Sequence, residues 1–318
     1  MTIRKVLMLV VVLALCTVFF VSCEPSQPQP NPSSTQDSAY LSSTEAPTLP
    51  ETPHTRFAQP EGARWLEQGE YMVGNAVFPE GEYYLETYDP SLVASFSVFK
   101  LDAEEKKQVI KENSFQNFCF VQLEEGQNIS VKFARILPAA LVPPIQPQDG
   151  AYPAGVYRIG KDIPEGEYCF IDAQGILSPS VALLSEHLPL QSMADVAQPG
   201  VLKKDSAFNR LYFRVDVGAY LKVRDAVFYP RDEAPLPETR DGSYGAGMYL
   251  VGKDIEAGQY LVEPDGQSAD GDGLYAILTD PAAPVGTIVE VKTIRSEKSI
   301  SVENGQYLSL TNSMIRKR

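Results

Sequence analysis

Side chains with the type and spacing that catalysis requires are few in this sequence of 318 residues. It contains two histidines, His54 and His187, and neither lies near a nucleophile motif such as Gly-x-Ser-x-Gly. A zinc site would need cysteines and histidines clustered at short spacing, and the sequence has no such cluster. It also lacks the glycine-rich loops that hold phosphates or dinucleotides. We therefore predict no catalytic residues, no metal and no cofactor, and we do not expect an enzyme.

Two arrangements of acidic residues have the composition of functional sites. One is a pair of glutamates on either side of a glycine, as in Glu80 with Glu82 and Glu165 with Glu167. Glycosidases use two carboxylates at a set distance in space, but these pairs flank a turn and are expected to lie in water. The other is Asp270–Gly273. A calcium loop needs oxygen ligands at alternate positions, and Leu274 breaks that pattern, so an acidic turn is predicted.

The first residues of the chain have the pattern of an export signal. Arg4 and Lys5 precede an uncharged run from Val6 to Val21. That run is shorter than the roughly 20 residues of a transmembrane helix, and it is typical of the apolar core of a secretory signal peptide. An uncleaved signal anchor is the alternative.

The end of this run resembles the lipobox of bacterial lipoproteins. Val21, Ser22 and Cys23 match that motif, whereas Phe20 departs from its usual leucine. The resemblance implies that residues 1–22 are cleaved and that Cys23 is the lipid attachment site. Two or three acyl chains on one residue anchor a protein stably. We therefore expect an extracytoplasmic, membrane-anchored lipoprotein of the cell membrane.

The composition of the remaining chain limits its partners and its redox chemistry. The formal net charge of the full sequence is −14, without a basic stripe, so nucleic acid is not an expected partner. Beyond the signal peptide and Cys23, two cysteines remain, Cys119 and Cys169, far fewer than in disulfide-dependent secreted domains. We interpret both as buried small apolar residues, and a disulfide between them is the alternative.

Two landmarks recur three times along the chain. The opening landmark spans Gly69–Tyr83, Gly155–Tyr168 and Gly247–Tyr260, and the closing landmark spans Gly126–Val131, Gly218–Val223 and Gly305–Leu310. They keep the same order and nearly equal spacing, which indicates three copies of one module. We place a Pro/Ser/Thr-rich tether at residues 23–60 and modules at 61–140, 150–230 and 242–318. Proline-rich linkers at 141–149 and 231–241 predict a spaced string of modules with little hinge freedom.

Each module has the pattern of an all-β fold. Short runs rich in aromatic and β-branched residues alternate with turn residues, which predicts three small antiparallel β-sandwich or barrel-like modules. The segment Ile163–Tyr168 has proline and glycine at turn positions and is interpreted as a hairpin that fixes strand register. The charged segment Ala103–Lys111 is either a short solvated helix or the edge of a strand.

The repeat resembles one in uncharacterised lipoproteins and surface proteins of Gram-positive bacteria. The matching pattern is Tyr-x-Val-Gly-Lys-Asp-Ile-Pro-x-Gly-x-Tyr followed by Gly-Gln-Tyr-Leu-x-Leu, over residues 61–318. Copy one departs from it at Asn75–Val77, and copy three has Glu256 in place of the proline. The resemblance implies a small all-β extracytoplasmic module and supplies no catalytic residue.

These observations favour a surface protein that binds or adheres to a protein or glycan. A lipid anchor, a tether and three modules reach outward from a membrane, and equivalent sites on the copies would add avidity. A structural envelope spacer without a ligand is the main alternative, and an envelope hydrolase is a third.

Overall fold

A computed structural model of the protein describes residues 57, 61, 64–172, 179–184, 201–206, 209–216, 220–266, 269, 271–284 and 286–318. Of residues 201–206 only the backbone is described. The predicted signal peptide, Cys23, both histidines, Gly218 and Asp270 lie outside the described residues, as does nearly all of the predicted tether.

Seven strands recur in each module, and module 3 has one short strand in addition. Module 1 contains β1 (Gly69–Met72), β2 (Gly81–Thr87), β3 (Val93–Leu101), β4 (Lys107–Gln116), β5 (Phe118–Leu123), β6 (Asn128–Lys132) and β7 (Ala134–Pro138). Module 2 contains β8 (Gly155–Arg158), β9 (Gly166–Asp172), β10 (Ser180–Leu184), β11 (Val201–Ser206), β12 (Arg210–Val215), β13 (Tyr220–Arg224) and β14 (Ala226–Pro230). Module 3 contains β15 (Ser243–Tyr244), β16 (Gly247–Leu250), β17 (Gly258–Pro264), β18 (Gly273–Leu278), β19 (Ile288–Ile294), β20 (Lys298–Val302), β21 (Tyr307–Thr311) and β22 (Ser313–Lys317). Two 3-10 turns follow modules 1 and 2, at Ala139–Leu141 and Arg231–Glu233.

The strands of each module form two antiparallel sheets with the same topology. The front sheet has the order β1-β6-β3-β4, β8-β13-β10-β11 or β16-β21-β18-β19. The back sheet has the order β5-β2-β7, β12-β9-β14 or β20-β17-β22, and β15 extends the last of these. Side chains from both sheets meet in a buried core, for example Leu85 of β2 with Val98 of β3. Each module is therefore an antiparallel β-sandwich, and the predicted all-β fold is confirmed.

The recurring tyrosines of the opening landmark are structural. Each donates its hydroxyl to the carbonyl oxygen four residues earlier. The donors in the strand before the landmark loop are Tyr71, Tyr157 and Tyr249, and the donors in the strand after it are Tyr83, Tyr168 and Tyr260. A buried ring with a satisfied hydroxyl stabilises a core. This internal bond occupies the polar group that a ligand would otherwise contact.

The hairpin interpretation of the opening landmark is wrong. The strand before the landmark loop pairs within the front sheet, as β8 does with β13, whereas the strand after it pairs within the back sheet, as β9 does with β12 and β14. The loop thus carries the chain from one sheet to the other. Of the two interpretations of Ala103–Lys111, the edge strand is confirmed, because β4 begins at Lys107 and forms one edge of the front sheet.

The predicted spacing between modules is also wrong, because consecutive modules stack directly. The first strand of the later module (β8 or β16) lies against the fifth strand of the earlier one (β5 or β12). One hydrogen bond recurs at both junctions: the Asn117 amide donates to the Ala154 carbonyl over 2.9 Å, and the Asn209 amide donates to the Ala246 carbonyl over 3.1 Å.

Buried charges hold the junction between modules 1 and 2. The Asp162 carboxylate accepts the backbone N–H of Arg158 at 2.7 Å and pairs with the Arg158 guanidinium at 2.6 Å. The same guanidinium reaches Glu82 of module 1 at 2.7 Å and lies 3.6 Å from the centre of the Phe120 ring. Removing one partner of a buried pair leaves an uncompensated charge, so this network specifies how the two modules stack.

At the junction between modules 2 and 3, Asp254 takes the place of Asp162, and its arginine partner comes from a different position. The Asp254 carboxylate accepts the backbone N–H of Leu250 at 2.9 Å and pairs at 2.7 Å with Arg210, which belongs to module 2. The Tyr212 hydroxyl also donates to it over 2.7 Å. The Lys-Asp pairs shared by copies two and three thus lie at the two junctions.

The cysteines are buried free thiols, as predicted, and no disulfide joins them. Cys119 lies in the core of module 1, and Cys169 lies in the cluster that continues across the junctions. Burial raises the pKa of both thiols, to about 12 for Cys169. Neither is therefore a nucleophile near neutral pH.

Close packing at the first junction predicts the effect of a single methyl group. A Cβ at Gly155 would lie 2.4 Å from the Phe118 ring, whereas a Cβ at Gly258 would meet nothing within 4 Å. The two glycines have similar φ angles, +156° and +145°, so both alanine variants carry a comparable backbone cost. We expect Gly155→Ala to lower the free energy of unfolding by about 1–3 kcal/mol more than Gly258→Ala. Equal losses in urea unfolding would contradict this packing.

Candidate binding groove on module 1

No module among the described residues lies over the front sheet of module 1, and the outer face of this sheet is polar. One row across the sheet, set by strand register, is Glu70, Ser130, Ser97 and Glu112. The next row is Lys132, Ser95 and Ser114. These residues line a groove of about 420 Å³, a size that suits a small ligand.

In modules 2 and 3, two of these positions carry apolar residues. Val156 and Met248 occupy the place of Glu70, and Ala182 and Ala276 occupy the place of Ser97. Val156 packs against the core of module 1, and Met248 joins the cluster that spans the second junction. Module 1 therefore has a carboxylate and a hydroxyl at two positions where the later modules have apolar side chains.

One end of the groove is closed by an ion pair over an aromatic ring. Phe99 lies on the outer side of β3, in alternation with Ser95 and Ser97, yet it is 3% exposed. The Lys107 ammonium lies 4.5 Å from the centre of the Phe99 ring and forms an ion pair with Glu70. The hydrogen bond from Lys107 lowers the pKa of Glu70, so this carboxylate stays ionised in mildly acidic solution.

The opposite end of the stack, the back sheet of module 3, is polar and exposed. Ser299 stands where Phe120 and Tyr212 stand in modules 1 and 2. Gln259, which replaces Glu82 and Glu167, is exposed as well. Polar outer faces on terminal repeats are what keeps a stacked array soluble. This end shows no groove comparable to that of module 1 among the described residues.

Several residues that the sequence analysis identified lie in surroundings different from those predicted. Glu82 and Glu167 do not point into water: Glu82 pairs with Arg158, and Glu167 accepts the Tyr307 hydroxyl at 2.5 Å across the second junction. Asp272 pairs with Arg295 at 2.9 Å. Cys23 lies outside the described residues.

The groove residues were not identified from the sequence. A signal was present at two of them, because Glu70 and Ser97 are polar where the later copies have apolar residues. Recognising it requires the strand register that aligns Glu70 with Val156 and Met248.

The described residues contain no cluster of three or more side chains that could hold a metal ion. In the same part of the chain, no helix has the length and apolar character needed to cross a membrane. No protein-family model matches the sequence, and no curated protein is significantly similar to it.

A buried lysine also lies at the first junction. Lys222, in the position that Ser130 has in module 1, is 1% exposed and donates to Asn113 of module 1 over 2.6 Å. Burial, with a smaller contribution from Arg224, lowers the pKa of Lys222 to about 7. The described residues give this ammonium no carboxylate partner.

Lys222 predicts a pH dependence of stability. Above pH 7 the folded chain releases this proton, whereas the unfolded chain keeps it up to about pH 10. The unfolded state then binds more protons, so the free energy of unfolding should rise with pH in this window. We expect urea unfolding at pH 6 and pH 9 to show this rise, and Lys222→Met to remove the part that corresponds to about one proton. Lys100→Met, at an exposed position, should leave it unchanged.

Proposed function

We propose that this protein is a membrane-anchored lipoprotein of the cell surface that binds a glycan through the groove on module 1. The observation that carries the proposal is the row of serines and carboxylates on the front sheet of module 1, over which the described residues place no other module. Serine hydroxyls donate to and accept from sugar hydroxyls, and ionised carboxylates accept from them.

Stacking changes the expected valency. The residues in place of Glu70, Val156 and Met248, are buried and apolar, so avidity from three equivalent sites is not part of this proposal. Modules 2 and 3 instead hold module 1 on a stiff support, because each junction contains a buried ion pair. The likeness to Gram-positive surface repeats agrees with this role and stays a prediction.

A glycan array tests the proposal with the full chain in detergent. Ser97→Trp places a large ring on the groove floor and should abolish binding, because Ser97 pairs with both Ser130 and Glu112. Ser299→Trp is the matched control, since it makes the same change on an exposed strand of module 3, and should bind as the unaltered chain does.

Two results would overturn this proposal. One is an array without any retained glycan, and the other is equal loss of binding in both tryptophan variants. Retention of a protein from envelope extract, blocked by Ser97→Trp but not by Ser299→Trp, would assign the groove to a protein ligand instead of a glycan.

The anchor has its own test, with a control that the chain supplies. Replacing Cys23 by alanine should move the protein from the membrane fraction to the soluble fraction, because the acyl chains that we propose there are the attachment. Cys16→Ala, within the apolar run, should leave the protein in the membrane fraction. A Cys23→Ala chain that still sediments with membranes would contradict lipid attachment at this residue.

A structural spacer is the second candidate function. The continuous cluster of buried side chains from Trp65 of module 1 to Tyr307 of module 3 favours it, because such packing resists bending. A blank array together with no retained protein would favour the spacer over the binding protein.

A further inference from the structure

Phe99 lines one end of the groove on module 1. Its counterparts by strand register are Leu184 and Leu278, which are buried in the later modules. Module 1 has no preceding module, yet it keeps a large ring at this position and covers it with its own Lys107.

The cover over Phe99 consists of an ammonium group held between a ring face and a carboxylate. The negative face of an aromatic ring attracts a cation, and a carboxylate beside it adds to the attraction. About half of each side chain in the Lys107–Glu70 pair is exposed. An ion pair this exposed contributes little stability, so another ammonium group can take its place.

We infer that the groove binds a saccharide that carries a free amino group. The ammonium of the sugar replaces that of Lys107 over Phe99 and beside Glu70, while its hydroxyls bond to Ser97, Ser130 and Glu112 along the adjoining row. The net charge of −14 favours the approach of such a cation. This inference rests on the proposed function and names its ligand class.

Glucosamine oligomers and N-acetylglucosamine oligomers of equal length provide the test, because they differ in the amino group alone. In calorimetric titration of the full chain at mildly acidic pH, the glucosamine oligomer should bind about tenfold tighter. Phe99→Leu, which installs the residue of modules 2 and 3, should lower that affinity about tenfold. Lys107→Met removes the competing ammonium and should raise it.

The carboxylate has a matched control. Glu70→Gln should weaken binding of the glucosamine oligomer, whereas Glu256→Gln should not, although Glu256 is also an exposed glutamate paired with a lysine, Lys317. Equal effects of the two changes would show general charge attraction and would overturn the inference.

Two further outcomes separate this inference from the proposed function. Glycan binding that Ser97→Trp abolishes, but that acetylation and Phe99→Leu do not affect, would overturn the amino-sugar assignment and leave the groove as a glycan site. If neither oligomer binds and the array is blank, both the ligand class and the proposed function fail.

Discussion

Two aspartates, Asp162 and Asp254, connect the folding of each later module to its stacking. Each carboxylate accepts the backbone N–H of the residue four positions earlier and pairs with a buried arginine. Burying a charge is costly unless it is paired and hydrogen-bonded. Each aspartate therefore stabilises the loop between the two sheets of its module. The same side chain also pairs with an arginine at the junction, which connects the fold of the module to its stacking.

The outer faces of modules 1 and 3 lack residues that form the junctions. Copy one has Asn75 in place of the lysine-aspartate pair, and the Asn75 side chain bonds within its own loop. Copy three has Gln259 and Ser299 where the earlier copies have a junction glutamate and an aromatic ring. The departures from the repeat pattern thus mark faces in contact with water, and they make the stack finite.

This stack differs from a chain of equal modules. The groove lined by Glu70 and Ser97 lies on the front sheet of module 1, whereas Val156 and Met248, which replace Glu70 in the later modules, are used for packing. The stiffness of the junctions and the position of the groove are therefore two results of the same arrangement. In both candidate functions, modules 2 and 3 support module 1 instead of duplicating it.

The sequence alone determined the three copies and their all-β character, because strand alternation and turn residues are local signals that repeat along the chain. It also predicted that Cys119 and Cys169 are buried. Only the tertiary structure decided that the opening landmark crosses between sheets, that Glu82 and Glu167 lie at junctions and that Glu70 and Ser97 share a groove. The physical reason is that strand pairing and face-to-face stacking bring together residues far apart in sequence, and no local pattern encodes which face another module will cover.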